Sequence, residues 1–106
     1  YEEFIRQTAG DKDIAFQVAQ IYNRDINSEL EGLKSAFDQK DFEAVRRRAH
    51  KFKSGFIVMG AKSLFEQAFS LESRSKNGES DLGDAIQTFT TECLELKDEL
   101  IHQFGQ

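Results

Sequence analysis

Histidine is the side chain best suited to covalent or acid–base chemistry near neutral pH, and this 106-residue sequence has two. His50 stands between Arg46-Arg47-Arg48 and Lys51-Phe52-Lys53-Ser54, and the only other histidine is His102. An imidazole nitrogen can serve as a base, as a metal ligand, or as a nucleophile that carries a transferred group. Each role needs different company. A zinc or di-iron site needs a second histidine, a cysteine cluster or a carboxylate set, and these are not found in one place. No glycine-rich phosphate loop or nucleotide motif is present. Ser54 follows His50 too closely on one segment to be activated by a third group, so a Ser-His-Asp arrangement is not indicated. What remains is a nucleophilic imidazole with an ammonium, Lys53, three residues on.

The elements that must position these groups read as helices throughout. Residues 11–39 repeat apolar side chains at Ile14, Val18, Tyr22, Ile26, Leu30, Leu33 and Phe37, in steps of four or three. Asp41 is a fitting N-cap for a second helix with the stripe Phe42, Val45, Ala49, Phe52, Phe56 and Met59, ended by Gly60. A third runs from Ala61 to Lys76 with Leu64, Phe65, Ala68 and Leu71 inward, and Asn77-Gly78 closes it. Asp81 is expected to cap the fourth, which carries Leu82, Ile86, Phe89, Cys93, Leu96, Leu100 and Phe104. Glu2 to Thr8 are expected to add a short N-terminal helix bearing Phe4 and Ile5. Four amphipathic segments with short connections bury their stripes best as an all-α, antiparallel up-down-up-down four-helix bundle. A long coiled-coil dimer competes, but Gly10, Gly60 and Asn77-Gly78 interrupt any continuous helix.

On a helical wheel, His50 lies well away from the stripe of Val45, Ala49, Phe52 and Phe56, on a side shared with Arg46, Ser54 and Ile57. An exposed histidine on a charged helix is usually idle. Two features argue otherwise. Ile57 is a large apolar side chain on the outward face, and Glu72 falls on the inward-leaning stripe of helix three. Folding back at Gly60 puts His50 and Glu72 roughly 15 and 18 Å from the turn, at similar height. A carboxylate there needs a partner, and the nearest are the His50 N–H and the Lys53 ammonium. A histidine so held can carry a phosphoryl group, and nearby positive charge stabilises its oxygens.

Charge and composition narrow the class further. Fourteen basic and nineteen acidic residues give −5, yet Arg46, Arg47, Arg48, Lys51 and Lys53 make 46–53 a +5 island. One island on an acidic chain does not fit a general nucleic-acid binder, and it does fit a local site for an anion or acidic partner. No apolar run approaches a membrane span, and a signal peptide is not expected from the opening residues. Cys93 is a single cysteine, which suits a reducing, cytoplasmic setting. One domain over 1–106 is expected, and the start at Tyr1 suits a domain cut from a longer chain.

Ala49-His50-Lys51-Phe52-Lys53-Ser54-Gly55, followed by Met59-Gly60-Ala61 and Leu64, resembles the signature of histidine-containing phosphotransfer (HPt) domains. Leu71-Glu72 and the lead-in Phe42-Glu43-Ala44-Val45 match the same family, with the specific part confined to about residues 41–72. The resemblance implies a phosphorelay intermediate rather than an enzyme with its own kinase or nucleotide site. His50 would accept a phosphoryl from a receiver-domain aspartate and pass it to another receiver. Lys53 would neutralise phosphoryl charge, and Glu72 would orient the imidazole. Ser54 and Gly55 would keep the approach open. The family most often has glycine where Ser54 stands; serine is small and would donate to the phosphoryl.

Receiver active sites are acidic and bind magnesium, so the resemblance puts magnesium on the partner and no cofactor on this chain. Arg46, Arg47 and Ile57 would form a transient docking patch, joined by Phe4 or Ile5. The expected partners are response-regulator receiver domains and a hybrid sensor histidine kinase, met by a monomer. The alternative is a helical adaptor that binds a receiver-like partner without being phosphorylated. His102, near the end of helix four, reads as a favourable dipole contact rather than a second acceptor. Cys93, Met59 and Tyr22 read as packing residues, and Gly32 and Gly83 have no evident role.

Overall fold

A computed structural model of the chain describes residues 12–104, so the expected helix at 2–8, with Phe4 and Ile5, lies outside the described residues. Four helices follow in order: α1 Lys12–Asp38, α2 Phe42–Met59, α3 Lys62–Lys76 and α4 Gly83–Phe104. Each packs on its neighbour in the chain, and α1 also packs on α4, which closes the ring. The α2–α3 contact is the most extensive. This is the antiparallel up-down-up-down bundle that the four stripes imply, and no strand occurs among the described residues.

The apolar stripes meet inside. Leu33, Val45, Leu71, Leu82, Phe89, Cys93 and Leu100 are fully buried. At the centre, Phe52 stacks on Phe56 with ring centroids 6.1 Å apart, and Phe89 from α4 turns its edge to both, at 5.0 and 5.9 Å. Each such aromatic pair adds roughly 0.5–1.5 kcal/mol beyond the area it buries. Because Phe52 and Phe56 must face inward, the rotation of α2 about its axis is set. His50, Ser54 and Ile57 consequently point away from the core.

Local chemistry sets the ends of α2. The Asp41 carboxylate accepts from the Ala44 N–H at 3.2 Å, satisfying one of the free donors of the first turn. At the other end Gly60 takes φ 71°, and the Ala61 N–H returns to the Phe56 carbonyl at 3.0 Å. The turn before α2 places Lys40 at φ 58° without a glycine, and the Asp41 N–H bonds back to the Ala36 carbonyl at 2.9 Å. Gly78, at φ 84°, follows α3 as the Asn77-Gly78 pair suggests.

One boundary is corrected. The fourth helix begins at Gly83, with the Ile86 N–H bonded to the Leu82 carbonyl, so Asp81 stands outside the cap position. The Asp81 carbonyl instead accepts from Arg74 at 3.1 Å, which ties the connection back to α3. Phe65, expected inward, is only partly buried at the edge of the core. The Tyr22 hydroxyl donates to the Cys93 carbonyl at 2.7 Å, joining α1 to α4. Burial pushes the Cys93 thiol up to about 12, so it stays protonated as a core residue.

Candidate functional site

The site is assembled from one face of α2 and one of α3. The His50 side chain is 60% exposed, and its Nδ1 lies 2.6 Å from Oε2 of Glu72. The Lys53 ammonium donates to the other carboxylate oxygen, Oε1, also at 2.6 Å. Glu72 therefore bridges the imidazole and the ammonium. Its side chain is 16% exposed, and that of Lys53 is 21% exposed. Glu72 is thus partly buried, and both of its carboxylate oxygens have a partner.

Electrostatics follow from this bridge. The hydrogen bond from Lys53 holds the Glu72 carboxyl below the usual carboxylate range, against the opposing effect of burial, and the bond to His50 adds to it. An ionised carboxylate can only accept, so Nδ1 carries the proton of a neutral ring. Nε2 then holds the lone pair. The ring presents a nucleophilic nitrogen whose direction is set by a hydrogen bond on its far side.

The remaining expected residues divide by where α2 points them. Ser54 donates to the His50 carbonyl at 3.2 Å, so its hydroxyl is engaged along its own helix. Ile57 lies on the His50 face and is 57% exposed. Arg46 is paired with Glu43 on α2, with Nε 3.2 Å from Oε2, and Arg47 is exposed one turn before His50. Gly55 is turned away from the ring toward α1. There it lines a groove of about 180 Å³ with Ile21, Asp25, Glu29, Lys51 and Met59.

The basic island is thus not a single patch. Lys51 pairs with Glu29 of α1 at 2.7 Å, and Arg48 reaches the same carboxylate at 3.9 Å. Lys53 serves α3, and Arg46 serves its own helix. Sequence periodicity alone does not reveal Glu29 as a shared acceptor. It also passes over two apolar side chains left in solvent beside the site, Val58 at 62% exposed and Phe69 at 51%. A helical wheel for α2 places Val58 at the rim of the His50 face. The Lys53 nitrogen lies 5.3 Å from the centroid of the Phe69 ring.

Among the described residues, no three histidine, cysteine, aspartate or glutamate side chains gather as a metal site. Nor is any helix among them long and apolar enough to cross a membrane. A protein-family model described as the Hpt domain matches residues 17–103. No curated protein and no solved structure matches the chain.

Proposed function

The chain belongs to the Hpt domain family, whose members are phosphotransfer intermediates of two-component phosphorelays, and from that premise we propose that His50 is the phosphoacceptor. The observation that carries this reading is the 2.6 Å contact between Nδ1 and Glu72 on a side chain that is 60% exposed, so that in the neutral ring Nε2 is the nitrogen with a lone pair to attack. In the forward step, Nε2 attacks the phosphorus of a receiver aspartyl phosphate. The P–O bond to the aspartate breaks, its carboxylate leaves, and a P–N bond forms. The Nδ1–H keeps its hydrogen bond to the ionised Glu72 carboxylate, whose charge offsets the positive charge gained by the ring. Attack by the carboxylate of a second receiver reverses these changes.

A phosphoryl group arriving beside a carboxylate is repelled unless a cation intervenes. Lys53 supplies that cation, one turn from His50 and already bonded to Glu72. Positioning and charge stabilisation of this kind make up most of what a phosphoryl transfer requires. Ile57 and Val58 give a receiver an apolar surface beside the ring, and Arg46 and Arg47 give its acidic site a complementary charge. Ser54 adds little bulk to the approach.

The test uses purified receiver domains phosphorylated on aspartate. Wild-type protein should acquire a phosphate that is labile in acid and stable in alkali, and His50→Gln should acquire none. Label that survives in His50→Gln would identify another acceptor. No label with any competent receiver would favour the unphosphorylated adaptor.

A further inference from the structure

We propose that Phe69 is a positioning residue for this reaction, its ring face holding the Lys53 ammonium beside His50; the proposal rests on the phosphotransfer reading above. Phe69 is half exposed on α3, where a solvated helix favours a polar side chain. The ring has two neighbours. The Lys53 nitrogen lies 5.3 Å from its centroid, and the Phe65 ring, one turn earlier on α3, lies tilted to it at 6.4 Å. Glu72 lies three residues further along α3, so the ring and the carboxylate come from one helix face and receive the same ammonium.

The choice of an aromatic has a chemical reason. A lysine ammonium on a four-carbon stem samples many rotamers when it has a single partner. A second carboxylate would restrain it, but would add negative charge where a phosphoryl group must approach. A ring face attracts the cation through its quadrupole and leaves the positive charge available. The seat accounts for a Lys53 side chain only 21% exposed at the margin of a surface site. At an exposed position such an interaction favours the held conformer by roughly two- to fivefold.

A small phosphodonor separates this role from receiver docking. With phosphoramidate, whose nitrogen is protonated near neutral pH, Nε2 attacks phosphorus, the donor P–N bond breaks, and ammonia leaves directly. Labelling rates would be compared for wild type, Phe69→Leu and Phe69→Tyr, with each Phe69 substitution repeated in a Lys53→Met background. Phe69→Leu should slow labelling about two- to fivefold, while Phe69→Tyr keeps the wild-type rate. In Lys53→Met the leucine substitution should cost nothing further. By NMR, the Lys53 ε-methylene protons should be shifted upfield by the ring in wild type and Phe69→Tyr, and not in Phe69→Leu.

A wild-type rate in Phe69→Leu would overturn the assignment. So would equal losses in the leucine and tyrosine variants, or a leucine effect undiminished in Lys53→Met. A wild-type protein that neither phosphoramidate nor any receiver labels would overturn the phosphotransfer reading itself. Labelling that is normal but insensitive to Phe69 would remove only the role given to this ring.

Discussion

The guanidinium of Arg48, on α2, lies against the bare backbone of Gly32 on α1, in the space a β-carbon would fill. This gives a purpose to a glycine that sequence periodicity leaves unexplained. It also makes a test of how much the crossing contributes. Alanine at position 32 would gain about 1 kcal/mol of helix propensity. It would displace only the flexible tip of Arg48, whose 3.9 Å approach to Glu29 is a partly exposed pair worth under about 1 kcal/mol. Gly32→Ala should therefore be neutral to stabilising, by up to about 1 kcal/mol, in thermal or denaturant unfolding. A loss above that size would mean the Arg48 seat matters more than its geometry indicates.

Gly55 offers the opposite situation. Nothing lies within 4 Å of where its β-carbon would be, and the backbone there is helical. Gly55→Ala should stabilise α2 by about 0.5–1 kcal/mol. Since Gly55 faces the α1 groove and not the His50 ring, labelling of His50 by phosphoramidate should proceed at the wild-type rate. A slowed rate would show that the approach to the imidazole includes this groove.

Glu72 links protonation to stability. Its folded-state pKa is lowered from the ordinary 4.5, chiefly by the Lys53 hydrogen bond. The stabilisation it provides is therefore complete above the usual carboxylate range and is lost as pH falls through the lowered value. Denaturant unfolding of wild type and Glu72→Gln should differ most at neutral pH, with the two curves converging below pH 4.5. Glu72→Ala removes a hydrogen bond to a charged group, and should slow labelling of His50 by roughly ten- to a hundredfold. A difference between wild type and Glu72→Gln that is independent of pH would contradict the bridging role.

The exposed pair Ile57 and Val58 separates docking from chemistry. Replacing both by serine leaves His50, Lys53 and Glu72 untouched. Transfer from a phosphorylated receiver should weaken by about tenfold or more, seen as a higher concentration for half-maximal rate. Labelling by phosphoramidate should not change. Equal effects on the two donors would place these side chains in the folding of α2 instead.

Much of this arrangement is legible in the amino-acid sequence. Asp41, Gly60 and the four stripes set the lengths and rotation of the helices, because burying Phe52 and Phe56 leaves one outward face. The heights of His50 and Glu72 from the Gly60 turn are enough to bring them together. Long-range pairings were not legible in this way. Nothing local distinguishes Glu29 from other surface acids, yet it receives both Lys51 and Arg48. The start of α4 at Gly83 is hidden in the sequence because Asp81 has the right chemistry for a cap, while its carbonyl is drawn to Arg74. Phe69 reads as one more apolar residue until its ring is seen beneath an ammonium.

The two ion pairs that flank α2 have a mechanical result. On one side Lys51 is anchored to α1 through Glu29, and on the other Lys53 is anchored to α3 through Glu72. They tie α2 to a neighbour on either flank of the His50 face, adding to the rotation that Phe52 and Phe56 set from the core. A partner docking on this face, as proposed above, would meet an imidazole already held at Nδ1 by Glu72 and would have no need to turn it.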